Sequence, residues 1–330
     1  MSYDPSLLLC QMMQYRRPAG SKTERYFRDR YLAPLGVEPD ASENLILRVG
    51  EGSRVLWSCH TDTVHRDGGK QAIRLVNGVI KLAGGSKSNC LGADCTTGVW
   101  LMMEMIKAQV PGLYVFHAAE ECGGVGSDHI ARKTPELLRG IDYAIAFDRY
   151  GYDEIITEQS GGLCASDEFA HSLAPMLPGR YGPSPNGLFT DTANYGDLVP
   201  ECTNISVGYD HHHTFREHQD MTFALSLREH MIKFDETKLK ASRRAGDNGW
   251  SSSRYDWDKW DEAYYKHAQK KYSSYGASMR QTTVIDVRRE RTARTVNEFC
   301  MLYPDVVADL LDQYGITVDE LYENSPDVLS

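Results

Sequence analysis

RVLWSCHTDTV, residues 54–64, starts as an apolar run and ends on a histidine, an aspartate and two threonines. Val55, Leu56 and Trp57 have the composition of a buried strand. Stopping that strand on His60 and Asp62 has two readings. One is a strand end followed by a turn. The other is a metal ligand with its own carboxylate support. The rest of the chain decides between them.

Working outward, ENLILRV (43–49) reads as a strand joined to residues 54–60 by GEGS, a hairpin signal. QAIRLVNGVIKL (71–82) carries a second one at Asn77-Gly78. TTGVWLMMEMIKAQ (96–109) has helical length and is stopped by Val110-Pro111. LYVFHAA (113–119), IDYAIAFD (141–148) and CTNISVG (202–208) read as strands. The N-terminal stretch, LCASDEFAHSLAPML (163–177) and MTFALSLREHMIKF (221–234) read as helices. Strands alternating with helices predict an α/β class, a three-layer α/β/α sandwich around a mixed sheet. Ligands in such folds gather outside the carboxyl ends of strands. Four of these apolar runs finish in acidic or histidine residues, which points to one site.

The chain has 330 residues, 41% hydrophobic and 25% charged, as expected of a soluble globular protein with one large domain and something smaller. No stretch approaches the length of apolar sequence a membrane span needs. The net charge of −10 argues against a nucleic-acid backbone as main partner. Eight scattered cysteines without a CxxC pair, and no secretion signal, imply free thiols in a cytoplasmic protein. The texture divides the chain into a catalytic domain (1–240), an aromatic and charged linker (241–283) and a small helical extension (284–330).

The candidates for chemistry are His60, Asp62, Asp94, Glu120, Glu121, Asp148 and His213. Imidazole and carboxylate suit zinc, with manganese or cobalt as alternatives. Each residue also has a plainer reading. His60 could be a satisfied strand-end histidine, Asp62 and Asp148 turn residues, and Asp94 the N-cap of the helix at 96–109. His211–His213 could be a solvated cluster. Glu120-Glu121 is the most informative pair, because two adjacent carboxylates are a costly end for an apolar strand unless something positive neutralises them.

HTDTV (60–64), GADCTTG (92–98), EECGGVGS (120–127), AFDRYG (146–151) and GYDHHHT (208–214), in that order, resemble the signature of the co-catalytic dizinc metallopeptidases, families M28 and M20. The resemblance implies a phosphorylase/hydrolase-like zinc exopeptidase fold and two divalent metal ions. It makes His60 and Asp148 ligands of one metal, Glu121 and His213 ligands of the other, and Asp94 the bridge. Asp62 would support His60, and Glu120 would be the general base acting on a metal-bridged water. The implied activity is hydrolysis of amide bonds in small peptides, an aminopeptidase first. N-acyl amino-acid amidohydrolase, carboxypeptidase and an inactive binding homologue are the alternatives, and a homo-oligomer is open.

Two departures stand out. Cys95 replaces an aspartate that follows the bridging residue in many relatives. Only 64 residues lie between Asp148 and His213, too few for an inserted dimerisation domain. In FTDTANY (189–195), Asp191, Thr192 and Tyr195 read as substrate contacts or as a helix cap and its first turn, with Asp191 a candidate for a free α-amine.

Overall fold

In the computed structural model, residues 3–249 are described; most of the linker and all of the helical extension lie outside them. An eight-stranded sheet forms the centre. Its strands are β1 (Glu38–Pro39), β2 (Leu45–Val49), β3 (Val55–His60), β4 (Gly112–His117), β5 (Tyr143–Arg149), β6 (Glu154–Ile156), β7 (Gly182–Ser184) and β8 (Glu201–Ser206). They lie in the order β7-β6-β8-β5-β3-β4-β2-β1. β3 is parallel to β4 and β5, and β5 to β8. β2 is antiparallel to β4. The sheet is mixed, as the sequence implies.

The expected hairpin between residues 43–49 and 54–60 does not form, because β4 sits between the two strands and pairs with both. β3 is buried along its whole length and is best satisfied between two parallel neighbours. β2, partly exposed, fits a place near the edge. The second hairpin does form: Ile73–Val76 pairs with Val79–Leu82. Asn77 and Gly78 both have left-handed backbones, φ 51° and 81°, the requirement of a two-residue turn matched to strand twist. Val79–Leu82 pairs in turn with His218–Asp220, which pairs with Tyr209–Asp210.

The helices are α1 (Pro5–Met12), α2 (Lys22–Phe27), α3 (Ala93–Lys107), α4 (Val125–Lys133), α5 (Asp167–Leu173) and α6 (Met221–Met231). α3 packs on β3 and β5 and carries α1 and α6 beside it. Gly98 permits the close approach, since a Cβ there would collide with the carbonyl oxygen of Phe147 on β5. α4 packs on the 3-10 turn Asp191–Tyr195, which lies against β3, β5 and β8. The result is a mixed α/β sandwich. Trp57 anchors its core, stacked on Phe147 at 5.8 Å and edge-on to Phe234 at 4.8 Å. No helix among the described residues is long and apolar enough to cross a membrane.

Chain direction determines where a site can form. From β3 the chain crosses to β4 on one side, then returns to β5 on the other. The crevice beyond β3 is therefore a topological switch point, where an open α/β sheet can receive a ligand. The 64 residues between Asp148 and His213 are taken up by β6, α5, β7, β8 and their connections within this body. Packing continues past residue 240: Arg243 donates to the carbonyls of Val199 at 3.1 Å and Gly196 at 2.7 Å.

Candidate metal centre

The switch point gathers the chemical residues. His60 ends β3, Glu120 and Glu121 occupy the 3-10 turn Glu120–Cys122 after β4, and Asp148 lies near the end of β5. Asp94 enters from the first turn of α3, and His213 from the loop after Tyr209–Asp210. His60 Nε2 is 3.5 Å from Asp148 Oδ1. His213 Nε2 is 2.9 Å from Asp94 Oδ2 and 3.3 Å from Glu121 Oε1. Potential ligand atoms of Asp94, Glu121 and His213 lie within 4.8 Å of one another, as do those of His60, Glu120 and Glu121, and of His60, Asp94 and Cys95.

HTDTV is explained by its hydrogen bonds. His60 Nδ1 lies 3.1 Å from the Asp62 carbonyl, to which it donates, leaving Nε2 as the free nitrogen facing Asp148. The Asp62 carboxylate accepts the backbone N–H of Glu120 and of Glu121, each at 3.1 Å, and so holds the two-glutamate turn. Ala119, which opens that turn, has a left-handed φ of 56°. Thr61 donates to Glu24 at 2.7 Å, and Thr63 exchanges hydrogen bonds with the backbone of Arg17. The threonines are structural.

Asp148 owes its aim to an irregularity. Asn204 pairs with Ala146 but Ser206 with Arg149, so β5 carries an extra residue beside Asp148. A bulge re-aims a side chain and interrupts the ladder. The Asn204 side chain fills in, accepting the Asp148 N–H at 3.0 Å, and Thr190 donates to Asp148 Oδ2 at 2.9 Å.

Three contributors carry no sequence signal. Asp94 is not the N-cap of α3; that position is Gly92, left-handed at φ 74°, with no side-chain cap of its own. The cap comes from Glu217, whose carboxylate accepts the N–H groups of Leu91, Gly92 and Ala93 at 2.8, 3.0 and 2.8 Å. Asp94 is thereby free to face the crevice. Arg17 is completely buried, its guanidinium 4.0 Å from the Phe27 ring centroid. It donates to the Thr61 carbonyl at 2.9 Å and to Cys95 Sγ at 2.9 Å. Cys95 donates in turn to the Asp62 carbonyl at 2.9 Å, the oxygen that also holds His60. The cysteine in place of a second aspartate thus joins Arg17 to the His60–Asp62 corner. Asn204 is the third.

Replacing Glu217 by alanine strips the acceptor from three buried N–H groups at about 1–3 kcal/mol each. The expected loss is on the order of 3 kcal/mol or more, read as a lower urea midpoint of the metal-free protein; an unchanged midpoint contradicts the capping role.

The site's electrostatics demand positive charge. Burial works against a charged His213, yet Asp94 and Glu121 raise it to about 12. Burial likewise opposes a charged His60, which Asp148, Asp62 and Glu120 nonetheless push well above its ordinary value. Burial raises Glu120 well above the carboxylate range, opposed by His60 and reinforced by Glu121, Asp148 and Asp191. Two imidazoles are thus driven to carry charge by the carboxylates around them. Imidazole nitrogen and carboxylate oxygen at this spacing fit divalent cations of the zinc, manganese and cobalt type.

Asp191 is 1% exposed, and among the described residues neither of its carboxylate oxygens has a partner at hydrogen-bonding geometry. Burial raises it to about 8, against the influence of the nearby His60 imidazole. A folded-state value above the unfolded one contributes stability at low pH that is lost as pH rises from about 4 to about 8. Asp191→Asn is expected to flatten that decline in metal-free protein by several kcal/mol, since each tenfold change in proton affinity is worth about 1.4 kcal/mol. Parallel stability profiles for the two proteins contradict it. Thr192 and Tyr195 are buried beside it; Thr192 Oγ1 donates to the Thr203 carbonyl at 3.2 Å, and the Tyr195 hydroxyl lies 3.4 Å from His117 Nε2.

No protein-family profile and no curated protein sequence matches the chain. Solved structures do. Aminopeptidase PepT from Bacillus cereus ATCC 10987 aligns over 69% of this chain and 96% of its own, with 14% identity and a TM-score of 0.56. A tripeptidase from Staphylococcus aureus subsp. aureus Mu50 aligns over the same shares, with 14% identity and a TM-score of 0.57. The Pyrococcus horikoshii TET1 peptidase, which can assemble into a tetrahedron or a large octahedral shell, aligns over 69% of this chain and 98% of its own, with 16% identity and a TM-score of 0.51. The chain has the fold of these peptidases, with clusters of candidate metal ligands at its switch point.

Proposed function

We propose that the protein is a dimetal-dependent hydrolase that cleaves amide bonds of small peptides, acting as an aminopeptidase. One observation carries the reading: two carboxylates, Asp94 and Glu121, each belong both to a ligand group with His60 and to the group with His213. A carboxylate shared between two groups is what a bridged pair of cations requires. His60 and Asp148 would hold one ion, Glu121 and His213 the other, with Asp94 between them. Zinc is the first choice, cobalt and manganese the alternatives.

When bound, the two cations supply Lewis acidity toward the scissile carbonyl and make a water more acidic. The remaining work belongs to the chain. Glu120 takes the proton of the attacking water on its carboxylate and returns it to the leaving amine. Asp62 holds the Glu120 and Glu121 backbones, so the adjacent carboxylates keep separate jobs. The Arg17–Cys95–Asp62 chain of contacts steadies the His60 corner.

The test is hydrolysis of amino-acid amides, short peptides and N-acyl amino acids by protein loaded with zinc, cobalt or manganese. Turnover confined to substrates with a free amino terminus supports the aminopeptidase. Preference for N-acyl amino acids replaces it with an amidohydrolase on the same centre. No turnover by metal-loaded protein sinks the hydrolase reading.

A further inference from the structure

We propose that His211 and His218 form a separate metal-binding site at the rim of the cleft, taking one first-row transition cation such as Zn²⁺ or Ni²⁺. The two rings come together across a short antiparallel ladder in which Tyr209 pairs with Gln219 and Asp210 with His218. Their centroids are 5.5 Å apart with planes 43° from one another. That spacing lets one nitrogen of each ring reach a common ion at about 2.0–2.1 Å.

The pair is prepared for that role. His218 Nδ1 lies 3.2 Å from the Arg216 carbonyl, to which it donates, so Nε2 carries the free lone pair. His211 is held by its backbone: its N–H donates to Asp210 Oδ1 at 2.8 Å, and Thr214 donates to its carbonyl at 2.7 Å. Its exposed ring is offered from a fixed turn. Asp210 is the cross-strand partner of His218 and so fixes the register that sets the two rings side by side. The other two histidines of the run have different surroundings. His212 stacks flat on Tyr150 at 5.0 Å, and His213 turns inward to Asp94 and Glu121.

The site bears on the centre below it. His211 and His213 both have left-handed backbones, φ 55° and 61°, which non-glycine residues seldom adopt. An ion clasped by His211 and His218 ties together the two ends of the loop that presents His213.

The experiment is calorimetric titration of Ni²⁺ into the full chain after its main centre has been filled with zinc and excess removed. Wild type, His211→Ala, His218→Ala and the control His230→Ala, which alters an exposed histidine on α6, are compared. Circular dichroism confirms that each is folded. One additional nickel per chain is expected in wild type and control, with affinity at least tenfold weaker in each of the other two variants. Identical isotherms for all four proteins, or a loss in only one of the two rim variants, overturn the two-histidine site. Zinc content of the same samples reports on the main centre separately, so a failure there is not mistaken for a failure at the rim.

Discussion

Glu120→Gln is expected to lower kcat on a peptide or amide substrate by about 10²–10⁴-fold while leaving metal content unchanged. Glutamine keeps the shape and burial of the side chain but cannot take up the water's proton. The Glu120 backbone N–H stays bound to Asp62, so the turn that presents Glu121 is preserved. KM should change little, because the loss is one of transition-state stabilisation. Elemental analysis beside steady-state kinetics checks it. Metal lost together with activity would make Glu120 a ligand, and unchanged kcat would remove it from the reaction.

Asp94→Asn is expected to abolish binding of both metals, from about two per chain to below one, and to eliminate turnover. The amide retains the volume and can still meet His213, but it cannot bridge cations with two charged oxygens. The variant also bears on stability. Burial opposes a charged Asp94, yet His213 and His60 depress its carboxyl far below the ordinary range. A depressed folded-state value contributes stability that is present above the unfolded value and lost as pH falls through the folded one. Asparagine forfeits that contribution, so the metal-free variant is less stable than metal-free wild type at neutral pH. Metal content after dialysis and a urea midpoint check the two effects independently. Retention of about two metals by the variant would remove the bridge.

The candidate site was legible because its residue types stand at boundaries in the pattern. His60, Glu120, Glu121 and Asp148 each follow an apolar run, and the fold turns those run ends into one crevice. The Asn77-Gly78 hairpin was legible because a two-residue turn is local chemistry. Strand partnership is not local, which is why GEGS suggested a hairpin that the insertion of β4 precludes. Arg17 and Glu217 were invisible for the same reason. Arg17 meets Cys95 and Glu217 meets the start of α3 across long stretches of chain, and nothing near either residue marks it for burial. The bulge beside Asp148 depends on the register of β8 and so appears only in the assembled sheet.

The proposed chemistry requires two cations, one on either side of Asp94. Anomalous diffraction from crystals of the zinc-loaded protein, recorded above and below the zinc edge, tests it most directly. Two peaks about 3.5–4 Å apart are expected, one beside His60 and Asp148, the other beside Glu121 and His213, with the Asp94 carboxylate reaching both. A single peak, or peaks away from Asp94, would contradict the account.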